Sequence, residues 1–470
     1  MVRTAVFFTF IALLIINSAF SASIKLPYIS FGERPENESE IDKEKVSESK
    51  TTKQKERMQL ESTDLSKPLT LQQCIKIALE QSPTMRSAKL DLIQQNMNVE
   101  DAQSEYLPQV NISGGYSFSD RIDFGWEKEN YDASLDASYT IWDHGRRKSS
   151  LAQAKARREA EYSRYARTTQ NLIFDVIQAY YDLLEAEKII IVDEQLIEQS
   201  RQNVEKVKAF LEAGTVVEAD VATARVQLAN NELTLLNDLN NLEIARANLA
   251  ITLGFEPGTK ISVIEDPDYD RYIRTGVIET EEILMEDIKS QALALRPEIR
   301  ESKANRDVIE LAAKLARLER WPKINAEGRY NLRLDDYLRE RDAIKNHKSW
   351  DVAARISFPL FDGGRSARTV QKAEISLQKS DESMFELEQS ISLEARQAFF
   401  NFEKAKKSLD IASAQVEDAR MSLEITQGRY DLGMVILLEL LARARINQVR
   451  AFYNYKVARK SLEKAMGVLK

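Results

Sequence analysis

Two hydrophobic periods alternate along the chain. Between residues 131 and 141, apolar and polar positions alternate one by one, with Leu135 and Ile141 on one side and Asp132 and Asp136 on the other. A period of two is typical of a β-strand whose two faces meet different surroundings. The same alternation predicts three further strands, over about 109–119, 324–334 and 350–360.

The four predicted strands have the length that a transmembrane strand needs, which is about 9–11 residues. Their polar faces carry charge, as at Glu327, Arg329 and Arg355, and aromatic residues stand near the strand ends as in membrane-interface girdles. The alternative is a soluble amphipathic sheet that a helix covers. Because four strands cannot close a barrel and lipid tolerates no open edge, we expect several copies to share one barrel.

The second period is seven residues and predicts long helices. Residues 146–213 contain neither glycine nor proline, and Val176, Leu183 and Ile190 begin an apolar series with heptad spacing, which is typical of a coiled coil. Such a helix extends about 100 Å, and residues 365–432 form a stretch of equal length. The two returns are predicted over 215–253 with 284–320, and over 434–466 with about 70–106.

The order of strands and helices occurs twice. The duplication predicts a first repeat over 69–254, an interrupting belt over 255–283 and a second repeat over 284–467. It is marked by Gly145 with Gly364 and Gly214 with Gly433 at an offset of 219, Pro83 with Pro297 at 214, and Gly254 with Gly467 at 213.

The N-terminal region predicts export. Arg3 precedes an apolar run, and Ala19 and Ser21 fit a signal-peptidase site, so residues 1–21 are interpreted as a signal peptide. An uncleaved anchor is the alternative, although the run is shorter than the roughly 20 residues that span a bilayer. Residues 22–68, rich in Glu, Lys and Ser, are interpreted as a disordered charged lead-in.

The composition argues against several functions. A net charge of −8 and the lack of a basic stripe with interleaved aromatics argue against nucleic acid as a partner. One cysteine, Cys74, and two histidines are too few for a typical His/Cys metal site. The sequence has no nucleophile–His–acid arrangement and no phosphate-binding glycine loop, so we expect neither an enzyme nor a cofactor.

Four sequence motifs stand in the duplicated order: FPLFDGG (358–364), YTIWDHG (139–145), EAGTVVEADV (212–221) and DLGMVILLEL (431–440). In this order they resemble the TolC-type outer-membrane efflux proteins. The resemblance implies a mainly α fold with a transmembrane β part: a homotrimer whose 12-stranded barrel in the outer membrane continues as a long α-helical periplasmic tunnel.

The resemblance also implies roles for individual residues. In a trimer, Asp220 and Glu439 would form a ring of six carboxylates, although both could instead be ordinary helix-start acids that the helix dipole favours. The chain departs from the family pattern at Val435, where a basic residue is expected, and at Ala442, which replaces a second acid. The implied set is Asp220, Glu439 and Tyr430 for a periplasmic gate, Gly214, Gly433, Val216 and Val435 for the tip turns and adaptor contact, and Gly145 and Gly364 for the strand-to-helix turns.

The function that the resemblance implies is a passive exit duct in the outer membrane, within a tripartite efflux or type I secretion system. Its expected partners are a periplasmic adaptor (membrane fusion protein), an RND or ABC transporter of the inner membrane, and outer-membrane lipid. The alternative from a different class is a soluble periplasmic coiled-coil adaptor, which also uses long helical hairpins.

Overall fold

The structure is a computed structural model of the chain. It describes residues 67–121, 126–275, 285–334, 348–427 and 434–469. The expected signal peptide and the lead-in up to residue 66 lie outside the described residues.

The described part of the chain is mainly helical with one small sheet. Its elements are α1 Leu71–Gln81, α2 Pro83–Ser104, β1 Gln109–Arg121, β2 Trp126–Trp142, α3 Arg146–Glu212, α4 Glu218–Leu253, α5 Pro267–Thr275, α6 Met285–Leu295, α7 Pro297–Leu318, β3 Lys323–Leu334, β4 Lys348–Ser357, α8 Arg365–Gln427 and α9 Met434–Ala465.

The sheet is antiparallel, with its strands in the order β1-β2-β3-β4, and helices α3 to α7 connect β2 to β3. The alternation predicted that the fourth strand ends near residue 360, but β4 ends at Ser357. Pro359 follows closely, and a proline has no backbone N–H for the sheet. β1 and β4 are the two edge strands.

The core follows the heptads of the long helix α3, which packs against α2, α4, α7 and α9. Val176, Leu183, Ile190, Ile197 and Val204 are all buried, as their spacing predicts. Each fully buried aliphatic side chain of this kind contributes about 1.5–3 kcal/mol relative to exposure. The hydrophobic stripe therefore holds the helices of one chain together along most of their length.

The sequence-based prediction of single helices over 70–106 and 284–320 is wrong. Each is broken in two, at Ser82 before Pro83 and at Arg296 before Pro297. Both preceding residues are extended, with ψ of 131° and 133°. A proline disfavours the helical conformation in the residue before it and is well suited to the first position of a new helix.

The predicted pairing of the return helices is also wrong. A Cβ added to Gly254 would lie 2.7 Å from the carbonyl oxygen of Gln81, and one added to Gly467 would lie 3.0 Å from the nitrogen of Arg296. The first return, α4, therefore ends at the α1–α2 junction, and the second return, α9, ends at the α6–α7 junction. The chain after Gly254 leads to α6, which packs on α8.

The segment after Gly254 is bound to α3 and α9 by hydrogen bonds and an ion pair. Val263 forms a parallel bridge with Leu69, and the Tyr180 hydroxyl donates to the carbonyl oxygen of Ile264 at 2.7 Å. Lys456 of α9 pairs with Asp266 at 3.1 Å. The part of the predicted belt that the structure describes thus packs against α3 and α9.

Candidate functional site: the sheet faces and the helix turns

One face of the sheet is apolar across all four strands. Ile112 pairs with Leu135, Leu135 with Tyr330, and Tyr330 with Trp350. These four side chains are between 40% and 75% exposed, so no described part of the chain covers this row. A contiguous exposed apolar surface of this kind marks a contact with lipid or another molecule.

The opposite face carries a row of polar and charged groups. Asn111, Asp136, Arg329 and Asp351 lie side by side in the register of the four strands. The Arg329 guanidinium donates to Asp136, while Arg355 donates to Glu327 at 3.3 Å on the same face. The face therefore presents both signs of charge to water.

The two predicted strand-to-helix turns share one geometry. Gly145 and Gly364 have φ of 85° and 80°, in the left-handed region that favours glycine. The carboxylate of Asp143 accepts from the Gly145 and Arg147 amides at 3.1 and 2.9 Å. Asp362 accepts in the same way from the Gly364 amide at 3.1 Å. These aspartates satisfy the free N–H groups at the starts of α3 and α8.

At the first tip turn, Gly214 ends α3 in the left-handed conformation, with φ of 74°. The Asp220 carboxylate accepts from the backbone N–H of Val217 at 3.0 Å and so caps its own helix, α4. Val216 is partly buried against the cluster of Val204, Val207, Val221 and Ala224, whereas Val217 is 63% exposed. Val217 is therefore the more accessible apolar side chain at this turn.

At the second tip turn, Glu439 is tied to the other hairpin. Gln227 of α4 donates to its Oε2 atom at 2.9 Å, and Arg443 of α9 also pairs with it. Tyr430 and Gly433 lie outside the described residues, and Val435 is near the start of α9. Asp220 and Glu439 thus have different partners, and no contact joins the two acids in the described part of the chain.

A buried polar chain continues from Glu439 into the first hairpin. Gln227 contacts Asn231 at 3.4 Å, and Asn231 donates to the Ser200 hydroxyl at 2.9 Å. Asn231 and Ser200 are both buried. The sequence signal for this link is the polar residue Ser200, which stands seven residues after Asp193 and seven before Val207 in the heptad spacing of α3.

A cavity of 1020 Å³ lies where the sheet meets the long helices. Its charged lining has equal numbers of both signs and so favours no single ligand charge. That lining comprises Arg146, Arg147, Arg365, Lys323, Glu105, Asp143, Glu319 and Asp362.

Two negative findings hold for the described ranges. No group of three or more metal-ligating side chains comes together there. Among the helices of the same ranges, none combines the length and apolar character needed to cross a membrane.

Comparison with known proteins identifies the family. The profile of the outer membrane efflux protein family matches residues 74–254 and again 288–468. Outer membrane protein TolC of Vibrio cholerae is 24% identical over 79% of this chain and 84% of that protein. Protein CyaE of Bordetella pertussis is 22% identical over 79% of this chain and 77% of that protein.

Solved structures share the fold. The Campylobacter jejuni CmeC outer membrane channel superposes with a TM-score of 0.72 at 19% identity, over 85% of each chain. The open state of the Neisseria gonorrhoeae MtrE outer membrane channel gives a TM-score of 0.71 at 20% identity, over 85% of this chain and 89% of that one. With a family match over most of its length and the same fold, the chain belongs to the outer membrane efflux protein family and is an efflux channel protein of the outer membrane.

Proposed function

We propose that three copies of this chain form one 12-stranded barrel that spans the outer membrane and continues as a periplasmic helical tunnel. The observation that carries the proposal is the sheet, with an uncovered apolar face, a charged opposite face and two free edges. Pairing of β4 with β1 of the next copy satisfies both edges, which lipid requires. The halves 69–254 and 284–467 each contribute two strands and one helical hairpin.

Site-directed labelling tests the placement of the sheet. Leu135→Cys and Ile356→Cys, each with Cys74→Ala, should react with a lipid-soluble probe and resist a water-soluble one. Ser134→Cys, which neighbours Leu135 on the opposite face, is the matched control and should show the reverse. Water-soluble labelling of Leu135→Cys in the intact trimer contradicts the proposal. A heat-sensitive trimer band in the outer-membrane fraction is expected as well.

The assembled duct moves solutes passively, and the energy comes from an inner-membrane RND or ABC transporter acting through a periplasmic adaptor. The mixed charges of the polar face support this role, because a wall with both signs of charge neither traps cations nor excludes anions. The relatives bear names from different systems, among them the cation efflux system protein CusC of Escherichia coli, which is 22% identical over 79% of this chain and 78% of that protein.

The periplasmic end carries the proposed gate, formed by Asp220, Glu439 and Tyr430. The Gln227–Glu439 hydrogen bond supports a closed arrangement, because it joins α4 to α9 and so joins the two hairpins of one chain. Opening the mouth by separating the hairpins would break this bond. Six carboxylates around the mouth of a trimer would concentrate cations there.

Single-channel recording tests the gate. Asp220→Ala combined with Glu439→Ala should weaken block by Mg²⁺, because the ring loses its charge. Gln227→Leu should raise the open probability without removing a carboxylate. Glu218→Ala, an exposed acid in the first turn of α4, is the control and should keep normal block. Unchanged block in the double variant removes the gate and leaves the duct intact.

The tip turns around Gly214 and Gly433, with Val216 and Val435, form the proposed adaptor contact. A photocrosslinker at position 217, beside Gly214 and exposed, should capture the adaptor. The same crosslinker at Tyr162, which is 39% exposed in the part of α3 nearer the sheet, should not. Capture from position 162 alone would place the adaptor elsewhere.

A further inference from the structure

A carboxylic acid lies inside the first helical hairpin, away from the tip. The second apolar seam of α3 passes through Ala186 and Ser200 and carries Asp193 between them. Asp193 is only 3% exposed, and within the described residues its Oδ2 atom has no hydrogen-bond donor. A buried carboxylate without a donor is costly, so this position requires a compensating group.

The group that faces Asp193 is a second carboxyl group. Asp238 of α4 lies within hydrogen-bonding reach of Asp193. Asn241 donates to the Oδ1 atom of Asp238 at 3.1 Å, so this oxygen already has a donor. Two carboxylates within hydrogen-bonding reach of each other repel strongly when both are ionised, so one proton between them satisfies both.

The other charged groups around the pair do not replace this proton. Arg450 of α9 is the cation nearest in influence, but it is half-exposed and also pairs with Glu185 of α3 at 3.8 Å. Arg445, also on α9, donates to Gln195 at 3.2 Å instead. Burial, followed by the neighbouring Asp238, raises the pKa of Asp193 to about 7. Burial likewise raises the pKa of Glu185 to about 7.

The second hairpin provides an internal comparison. At the offsets of the duplication, Asp193 corresponds to Ala412 of α8, and Asp238 corresponds to Ala451 of α9. Both alanines are buried. The helix packing of the fold therefore does not require acids at these places, and the acid pair is an addition to the first hairpin.

We propose that Asp193 and Asp238 share one proton and form a pH-dependent clamp between α3 and α4, closed while the proton is bound and loosened when it is lost. Because the shared proton is held more tightly in the folded hairpin than in the unfolded chain, the clamp stabilises at acidic pH and weakens as the pH rises through neutrality. This proposal does not depend on the gate at the tip.

The test uses the full-length protein in lipid nanodiscs at pH 5.5 and 8.5, as wild type, Asp193→Asn, Asp238→Asn and Glu194→Gln. Glu194 is exposed and adjacent to Asp193, so its variant controls for the change of charge. Infrared spectroscopy measures protonated carboxyl groups, and Glu185→Gln identifies the contribution of Glu185. Hydrogen exchange, corrected for the intrinsic pH dependence, compares residues 190–200 with the matched residues 409–419.

In wild type and Glu194→Gln, hydrogen exchange at residues 190–200 should be several-fold faster at pH 8.5 than at pH 5.5. Over the same change of pH, the infrared spectrum should lose the signal of one protonated carboxyl group in addition to that of Glu185. Residues 409–419 should not respond. Asp193→Asn should abolish both changes, since its amide donates to Asp238 at either pH. If it fails to fold, Asp238→Asn tests the same pair from the half-buried side. Equal pH responses in all variants, or an acid variant that is looser at both pH values, overturn the proposal.

Discussion

The two interhelical junctions have similar backbones and different side-chain support. At the first, α4 ends at Gly254 against the break before Pro83, and at the second, α9 ends at Gly467 against the break before Pro297. Both glycines have a left-handed φ, of 91° and 75°. The backbone solution, a proline at the break and a glycine against it, is thus used twice.

The side chains at matching positions differ. The second junction buries Arg296, which donates two hydrogen bonds of 2.6 Å to Glu394. At the duplication offsets, the first junction has Ser82 and Asp175 there. The bonds from Arg296 hold the pKa of Glu394 below its usual value, whereas partial desolvation raises the pKa of Asp175, although this residue is exposed. The backbone geometry is therefore common to both junctions, and the Arg296–Glu394 ion pair stabilises only the second junction further.

The largest expected effect comes from adding a methyl group at the first junction. Gly254→Ala should lower the free energy of unfolding by about 2–5 kcal/mol, because the Cβ meets a backbone oxygen and the conformation is strained. Gly467→Ala should cost less, since its closest approach is 3.0 Å rather than 2.7 Å. Denaturation followed by circular dichroism measures both. Gly145→Ala, which meets no atom within 4 Å, isolates the strain alone. Equal losses in all three variants would contradict the role of close approach.

A smaller effect on the free energy of unfolding should distinguish the Arg296–Glu394 ion pair of the second junction from Ser82 and Asp175 at the first. Glu394→Gln should cost about 1–2 kcal/mol at pH 7, discounted because Glu394 is half-exposed. Because the pKa of Glu394 is lower in the folded protein than in the unfolded chain, where it is near 4.3, the ionised carboxylate stabilises the fold above pH 4.3. This contribution to the free energy of unfolding is lost as the pH falls through the folded-state pKa. The cost should therefore vanish in acid.

Asp175→Asn provides the opposite case for the same titration. The raised pKa of Asp175 destabilises the folded chain above the unfolded value, so the amide should stabilise the protein slightly at pH 7 and have no effect in acid. Chemical denaturation between pH 3 and 7 measures both variants. Parallel pH profiles for the two variants would show that the junctions do not differ in this way.

The smallest expected effect is a change in the rate at which a maleimide reacts with Cys74 in α1. This thiol is fully buried, and burial raises its pKa to about 12, so a maleimide should react with it only when the first junction opens. Gly254→Ala should speed the reaction, and Gly467→Ala should leave it close to the wild-type rate. Mass spectrometry of timed samples measures both. Fast labelling of the native wild type would mean that α1 is not held by the junction.

The periodic parts of the molecule could be predicted from sequence. The heptads from Val176 to Val204 and the alternation around Leu135 report burial directly, because one side chain in each period meets the same surroundings. The breaks at Pro83 and Pro297 were missed because the apolar pattern continues across them. The pairing of α4 with the α1–α2 junction depends on a contact between residues far apart in sequence, such as Gly254 and Gln81, which no local pattern encodes.

The candidate site was less accessible to sequence reasoning. The aspartates of the DHG and DGG motifs, Asp143 and Asp362, were recognised as parts of a motif but not as helix caps. Asp193 interrupts an otherwise small and apolar seam, and that interruption was its only signal. Gln227, which donates to Glu439 from the other hairpin, could be found only once the helices were placed.

The free edges of the sheet have a consequence for biogenesis. Each chain by itself carries unpaired backbone N–H and C=O groups along β1 and β4, and hydrocarbon offers them no water. In the proposed assembly, a single chain cannot enter the bilayer first and find its neighbours afterwards. Insertion and trimerisation must then occur as one concerted event, so the rate at which the channel matures should depend on the concentration of newly exported chains.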